Sequence, residues 1–146
     1  MHLFFTVYQQ AWNRVPDKAS EGFSVAAAFY DNNDVITLLE AGKSVDLRVS
    51  VAADADAEYV TIEVPIPAGC AYESKSRGDF WKEAHREYYK EKVVIFCHRL
   101  SQGTHDFTIK LLPRYTGSYH LNPPKAELMY FPTFFGRGDA GRCIIQ

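Results

Sequence analysis

Apolar and polar residues alternate strictly in three stretches of the chain. Val45, Leu47, Val49 and Val51 stand against Ser44, Asp46, Arg48 and Ser50. Val60, Ile62, Val64 and Ile66 stand against Tyr59, Thr61, Glu63 and the prolines at 65 and 67, and Phe107, Ile109 and Leu111 against Thr108 and Lys110. An extended chain points successive side chains to opposite faces, so each stretch predicts a half-buried strand. Leu3 to Gln10, Phe23 to Tyr30, Arg86 to Tyr89, Val93 to Leu100, Ser118 to Leu121 and Cys143 to Gln146 predict further strands, some apolar on both faces as central strands are. The total of about nine suits an all-β, immunoglobulin-like sandwich of two antiparallel sheets.

Breakers set the limits of these elements. Proline cannot donate a ladder hydrogen bond, so the strand around Val60 should stop, or lie at an edge, near Pro65. Pro123-Pro124 predicts an extended, unpaired passage before Lys125. The charged and aromatic stretch from Asp79 to Glu91 reads as a hairpin turning at Lys90-Glu91-Lys92, with at most a short helical turn from Phe80 to Ala84. Acids and bases mix evenly from Lys82 to Lys92, which predicts a solvated hairpin face. Small and polar residues between Val15 and Gly22, and between Ala52 and Glu58, predict loops at the sandwich ends.

With 146 residues, 47% of them hydrophobic, the chain can build one complete core and not two, so residues 1–146 are taken as a single domain. A net charge of −2 supplies no field to attract nucleic acid or an anionic membrane. No apolar run approaches the roughly 20 residues that span a bilayer, and Met1 to Trp12 lacks the basic start and small-residue cleavage site of a signal peptide. A strand-like segment opening at Leu3 suggests a domain excised from a larger protein. Cys70, Cys97 and Cys143 are too few and too scattered for a zinc site; they read as three half-buried thiols, or as one bridge and one thiol.

Catalytic and metal chemistry find no pattern. His2, His85, His98, His105 and His120 show no metal-ligand spacing, and no Gly-x-Ser-x-Gly nucleophile elbow occurs, so neither an enzyme nor a cofactor is expected. Trp12, Trp81, Tyr88 and Tyr89 could form a platform for sugar stacking, or serve as ordinary sheet residues. That platform defines the alternative function, an independent carbohydrate- or adhesion-type binding module. Arg137-Gly138-Asp139 matches an adhesion motif, but three residues match by chance often, and the glycine suits a turn before the last strand.

Two longer stretches are more specific. Tyr59-Val-Thr-Ile-Glu-Val-Pro-Ile-Pro-Ala-Gly69 is similar to the segment of bacterial alpha-2-macroglobulins in which a strand enters a Pro-x-Pro-Ala-Gly corner. Pro123-Pro-Lys-Ala-Glu-Leu-Met-Tyr-Phe-Pro-Thr-Phe-Phe-Gly-Arg137 resembles their Pro-Pro-x-x-Ala-Glu-x-Met-Tyr stretch, which leads through Phe-Gly-Arg to the last strand. Gly103 to Gly117 between them fits a Gly-x-x-x-Phe strand with a Thr-Gly turn. The likeness runs from about Phe23 to the end, and Val64 stands where many relatives carry Asp.

The resemblance implies the C-terminal macroglobulin-like domain of an envelope or periplasmic protease inhibitor. Such a domain is a non-catalytic module that docks on neighbouring domains of its own polypeptide. It further implies that Met129 and Tyr130 belong to a loop lying over a thioester and shielding it, whereas the two residue types by themselves read as core packing. A thioester needs a Cys-x-x-Gln segment, and none of the three cysteines lies in one. The reactive group would therefore sit elsewhere in the larger protein, which would meet proteases as a whole.

Overall fold

A computed structural model describes residues 18–76, 78 and 81–146. They form fourteen strands: β1 (Ala19–Glu21), β2 (Phe23–Asp31), β3 (Asp34–Ile36), β4 (Leu38–Leu39), β5 (Val45–Ala53), β6 (Ala57–Pro65), β7 (Cys70–Tyr72), β8 (His85–Tyr88), β9 (Lys92–Leu100), β10 (Gly103–Pro113), β11 (Gly117–Leu121), β12 (Lys125–Leu128), β13 (Phe135–Arg137) and β14 (Gly141–Ile145). One sheet runs β1-β13-β12-β6-β9-β8 and the other β3-β2-β5-β10-β7, both antiparallel throughout. A third, short sheet, β11-β14-β4, adds one parallel pair in which Ile144 and Ile145 lie beside Leu38 and Leu39.

The three alternating stretches are β5, β6 and β10, and alternation drives their assembly. Val45, Leu47, Val49 and Val51 of β5, with Phe107, Ile109 and Leu111 of β10, are buried in one core with Val60, Ile62 and Val64 of β6 and Val93, Ile95 and Cys97 of β9. A fully buried Val, Leu or Ile contributes roughly 1.5–3 kcal/mol, so these two strand pairs supply much of the driving force for folding. A register slip by one residue would turn every one of them to solvent. Strand β6 ends at Pro65 as its prolines require, while lying centrally between β12 and β9. The Pro123-Pro124 passage is outside any ladder, although the Pro124 carbonyl accepts the Gly138 amide at 2.8 Å.

Six strands escape the alternation: β1, β3, β4, β7, β12 and β13. Each has two to four residues, too few for a period of two to register. Strand β1 occupies part of the stretch expected to be a loop, and the loop after β5 shrinks because Ala52, Ala53, Ala57 and Glu58 are all in strands. No helical turn forms over 81–84, where Trp81 and Lys82 make a turn and the Ala84 amide donates to the Phe96 carbonyl at 2.8 Å. The strand expected from Leu3 to Gln10, His2, Trp12 and Phe80 lie outside the described residues.

The Lys82 to Lys92 stretch forms the expected β8–β9 hairpin with His85, Lys90 and Glu91 exposed, but two of its charges depart from a solvated face. Glu83 and Arg86 are only 2% and 8% exposed. Strand β7 pairs with β10 only from Leu111 to Pro113, so the next carbonyls on that edge of β10 lose strand partners. The Lys110 carbonyl is taken by the Glu73 amide at 3.1 Å and the Thr108 carbonyl by Arg86 Nη1 at 2.8 Å. Arg86 also donates to both Glu83 oxygens, at 2.9 and 2.5 Å, and to the Tyr88 hydroxyl at 3.4 Å. Burial alone would lower the Arg86 pKa, but Glu83 and Tyr88 raise it above its ordinary value. A second tie runs parallel: Tyr72 of β7 donates to the Tyr89 and Lys92 carbonyls beside β8 and β9.

On the opposite side the sheets meet through backbone. A Cβ at Gly136 would lie 2.3 Å from the Phe23 carbonyl oxygen, and one at Gly138 would lie 2.7 Å from that of Val25. Only glycine lets this segment approach β2 so closely.

Ile109→Ala is expected to cost about 2–5 kcal/mol in urea unfolding and Lys110→Ala under about 0.5 kcal/mol; equal losses would contradict the assigned faces. Arg86→Met alone should cost about 3–5 kcal/mol by stranding Glu83, and adding Glu83→Leu should recover part of the loss. A double variant as unstable as the sum of the two singles would refute the coupling.

Candidate functional site

Strand β12 ends at Leu128, and residues 129–134 loop across to β13. The loop is closed by Leu128 donating to the Phe134 carbonyl at 3.1 Å and by Phe134 donating to the Phe131 carbonyl at 3.0 Å. Its first residue is pinned to β6 by the Met129 amide, which donates to the Tyr59 carbonyl at 2.9 Å. Met129 and Tyr130 are 42% and 68% exposed, so the core-packing reading of these two residues is wrong. Phe131, Phe134 and, on β6, Tyr59 are exposed with them. Apolar side chains so concentrated on one end of a folded chain mark a contact surface more often than chance exposure does.

Two hollows flank the loop. One of about 740 Å³ lies among Asp56, Glu58, Tyr59, Arg99, Tyr130 and Phe131, and another of about 340 Å³ among Gly22, Phe23, Asp54, Ala55, Leu128 and Phe134. The rim is charged and tied down. Asp56 accepts the Gln102 amide at 2.8 Å and an Arg99 Nη2 bond at 3.0 Å, and these two, the amide first, lower its carboxyl pKa. The turn between β5 and β6 is thereby fixed to the turn between β9 and β10, giving the aromatic end a rigid base.

The resemblance alone points to Met129 and Tyr130, and no sequence signal points to Tyr59, Phe131 or Phe134. Tyr59 is an outward position of a strand, and nothing in the alternation distinguishes it. The exposure of Phe131 and Phe134 follows from Pro132 and the loop, whose length the sequence pattern does not reveal.

Other candidate residues are engaged within the fold. Tyr88 is turned into the fold, with its ring 4.9 Å from Tyr72 and its hydroxyl donating to the Ser76 carbonyl, so it leaves the supposed sugar platform. Arg137 lies in β13, and Gly138 is buried against β2, so the adhesion motif is not presented on a free loop. His85 stacks on Phe96, His98 meets Tyr59, and His105 Nε2 lies 2.8 Å from the Ser101 carbonyl oxygen. Among the described residues no three His, Cys, Asp or Glu side chains converge, and no helix is long and apolar enough to cross a membrane.

The cysteines are three free thiols, with Cys97 and Cys143 fully buried. Burial pushes Cys97 up to about 12, and burial with the neighbouring Cys143 pushes Cys70 up to about 12. Burial raises Cys143 as well. All three are thus protonated and poorly nucleophilic near neutrality.

The fold is a macroglobulin-like β-sandwich. Residues 22–133 match the family model of the bacterial alpha-2-macroglobulin MG10 domain, and the chain belongs to that family. Three solved structures share the architecture. Salmonella alpha-2-macroglobulin reacted with methylamine is 18% identical with a TM-score of 0.78, covering 90% of this chain and 10% of that one. Trypsin-activated Escherichia coli alpha-2-macroglobulin is 17% identical with a TM-score of 0.79, covering 90% and 11%. Native Escherichia coli alpha-2-macroglobulin from domain MG7 to the C-terminus is 15% identical with a TM-score of 0.77, covering 90% and 24%. The chain thus spans about a tenth of the first two and a quarter of the third. No curated protein matches the sequence.

An aromatic disulfide reagent at pH 8 is expected to react slowly with the native chain and fully with Cys70, Cys97 and Cys143 in urea. Rapid labelling of Cys70 in the folded protein would refute its burial.

Proposed function

We propose that these 146 residues are one non-catalytic domain of a larger alpha-2-macroglobulin-like protease inhibitor of the bacterial envelope or periplasm. Its role is contact with neighbouring domains of the same polypeptide. The 129–134 end is the docking surface, and Met129 with Tyr130 covers a thioester carried by another domain. The larger protein, not this domain, meets the proteases.

The observation that carries the reading is the outward display of Met129, Tyr130, Phe131 and Phe134 on a loop anchored at both ends. A thioester survives only while water is kept from its carbonyl. A polarisable Met and an amphipathic Tyr suit that task, one filling irregular space and the other offering a broad apolar ring. Support also comes from the structural relatives: the Salmonella protein is described as reacted with methylamine, an amine of the kind that opens thioesters, and the Escherichia coli protein as activated by trypsin.

In the full-length protein, Tyr130→Ala is expected to speed methylamine inactivation, followed by release of the thioester thiol, by about tenfold, equivalent to ~1.4 kcal/mol of lost protection. An unchanged rate would sink the proposal.

A further inference from the structure

Tyr59 lies within β6, yet its backbone is left-handed, with φ at +55°. A bulky L-residue is disfavoured there because its Cβ crowds the following carbonyl, and such geometry persists only where surrounding contacts enforce it. The β6–β9 ladder shows the disturbance: Glu58 pairs with Arg99 and Val60 with Cys97, while position 59 is left out. What holds the exposed Tyr59 is the loop it touches. Its carbonyl accepts the Met129 amide at 2.9 Å, and its ring meets that of Tyr130 edge-on, with centroids 5.4 Å apart and planes at 77°. The same ring also meets that of His98 edge-on, with centroids 6.1 Å apart.

We infer that Tyr59 is the positioning residue of the docking loop, a strained strut on β6 that holds Met129 by its backbone and Tyr130 by its ring. The inference rests on the docking proposal for its purpose, but the contact itself is tested separately. An exposed tyrosine on a six-residue loop would otherwise sample many orientations, and ordering it beforehand removes part of that cost from docking. His98, itself exposed on β9, touches the same ring, so the strut contacts the adjacent strand as well as the loop.

Tyr59→Gly and Tyr59→Phe separate the ring from the backbone. Glycine adopts positive φ without a Cβ penalty, so the first variant keeps the left-handed geometry and removes the ring, while the second keeps the ring. In the 146-residue chain, the Tyr130 ring proton resonances are expected to move toward free-tyrosine positions in Tyr59→Gly and to stay near wild type in Tyr59→Phe. Resonances that stay in place in both variants overturn the inference. In the full-length protein, Tyr59→Gly should speed methylamine inactivation about two- to tenfold, the range of an aromatic pair, and add nothing to Tyr130→Ala. If Tyr130→Ala accelerates inactivation and Tyr59→Gly does not, the inference fails and the docking proposal stands. If neither does, although the resonances have moved, the docking proposal fails and the strut stands.

Discussion

A guanidinium taken out of water obliges its surroundings to supply acceptors, and the Arg86 side chain organises one whole side of the sandwich through that demand. Glu83 can meet it only because the 81–84 turn brings the carboxylate back toward β8. Gly78 leaves room for the pair, since a Cβ there would lie 2.0 Å from a Glu83 oxygen. The Tyr88 hydroxyl, which donates onward to the Ser76 carbonyl, extends the network into the 73–76 segment. The Thr108 carbonyl completes it and, in turn, needs Arg86, because β7 stops short of that position. One buried charge therefore replaces a missing stretch of strand and ties the edges of both sheets together.

The opposite side solves the same problem with no side chain. At Gly136 and Gly138 the chain comes so near the carbonyls of Phe23 and Val25 that hydrogen is the only substituent with room. Between these two edges lies the apolar slab of β5, β10, β6 and β9. The loop bearing Met129 and Tyr130 is carried at the end of this rigid block, anchored to β6 by the amide of its first residue and to Leu128 of β12 by the carbonyl of its last. A loop mounted in this way has few degrees of freedom left to lose on any contact.

Legibility from sequence followed element length and chemical monotony. Strands β5, β6 and β10 run for nine or more residues with clean alternation, and they were readable without error at their centres. Strands of two to four residues were invisible because tertiary placement, not local pattern, makes them extended. The buried ion pair was hidden in a run whose charges balance. Yet Arg86 and Tyr88 share a face while His85 and Glu87 share the other, so the period of two was present beneath the charge. Only the family likeness singles out Met129 and Tyr130, since Met and Tyr are ordinary core residues by type. The left-handed backbone of Tyr59 leaves no trace in composition, because glycine or asparagine is the expected occupant of such a position.

The short third sheet has a mechanical corollary. Strand β14 is held between β11, which runs against it, and β4, which runs with it, and the Gln146 amide and carbonyl are both bonded, to Leu39 and Ala41. A pull exerted at residue 146 along the strand axis would load these hydrogen bonds side by side in shear, with no free edge from which to unzip them one at a time. Resistance of that sort is kinetic, governed by how fast the strand escapes and not by the equilibrium stability of the sandwich.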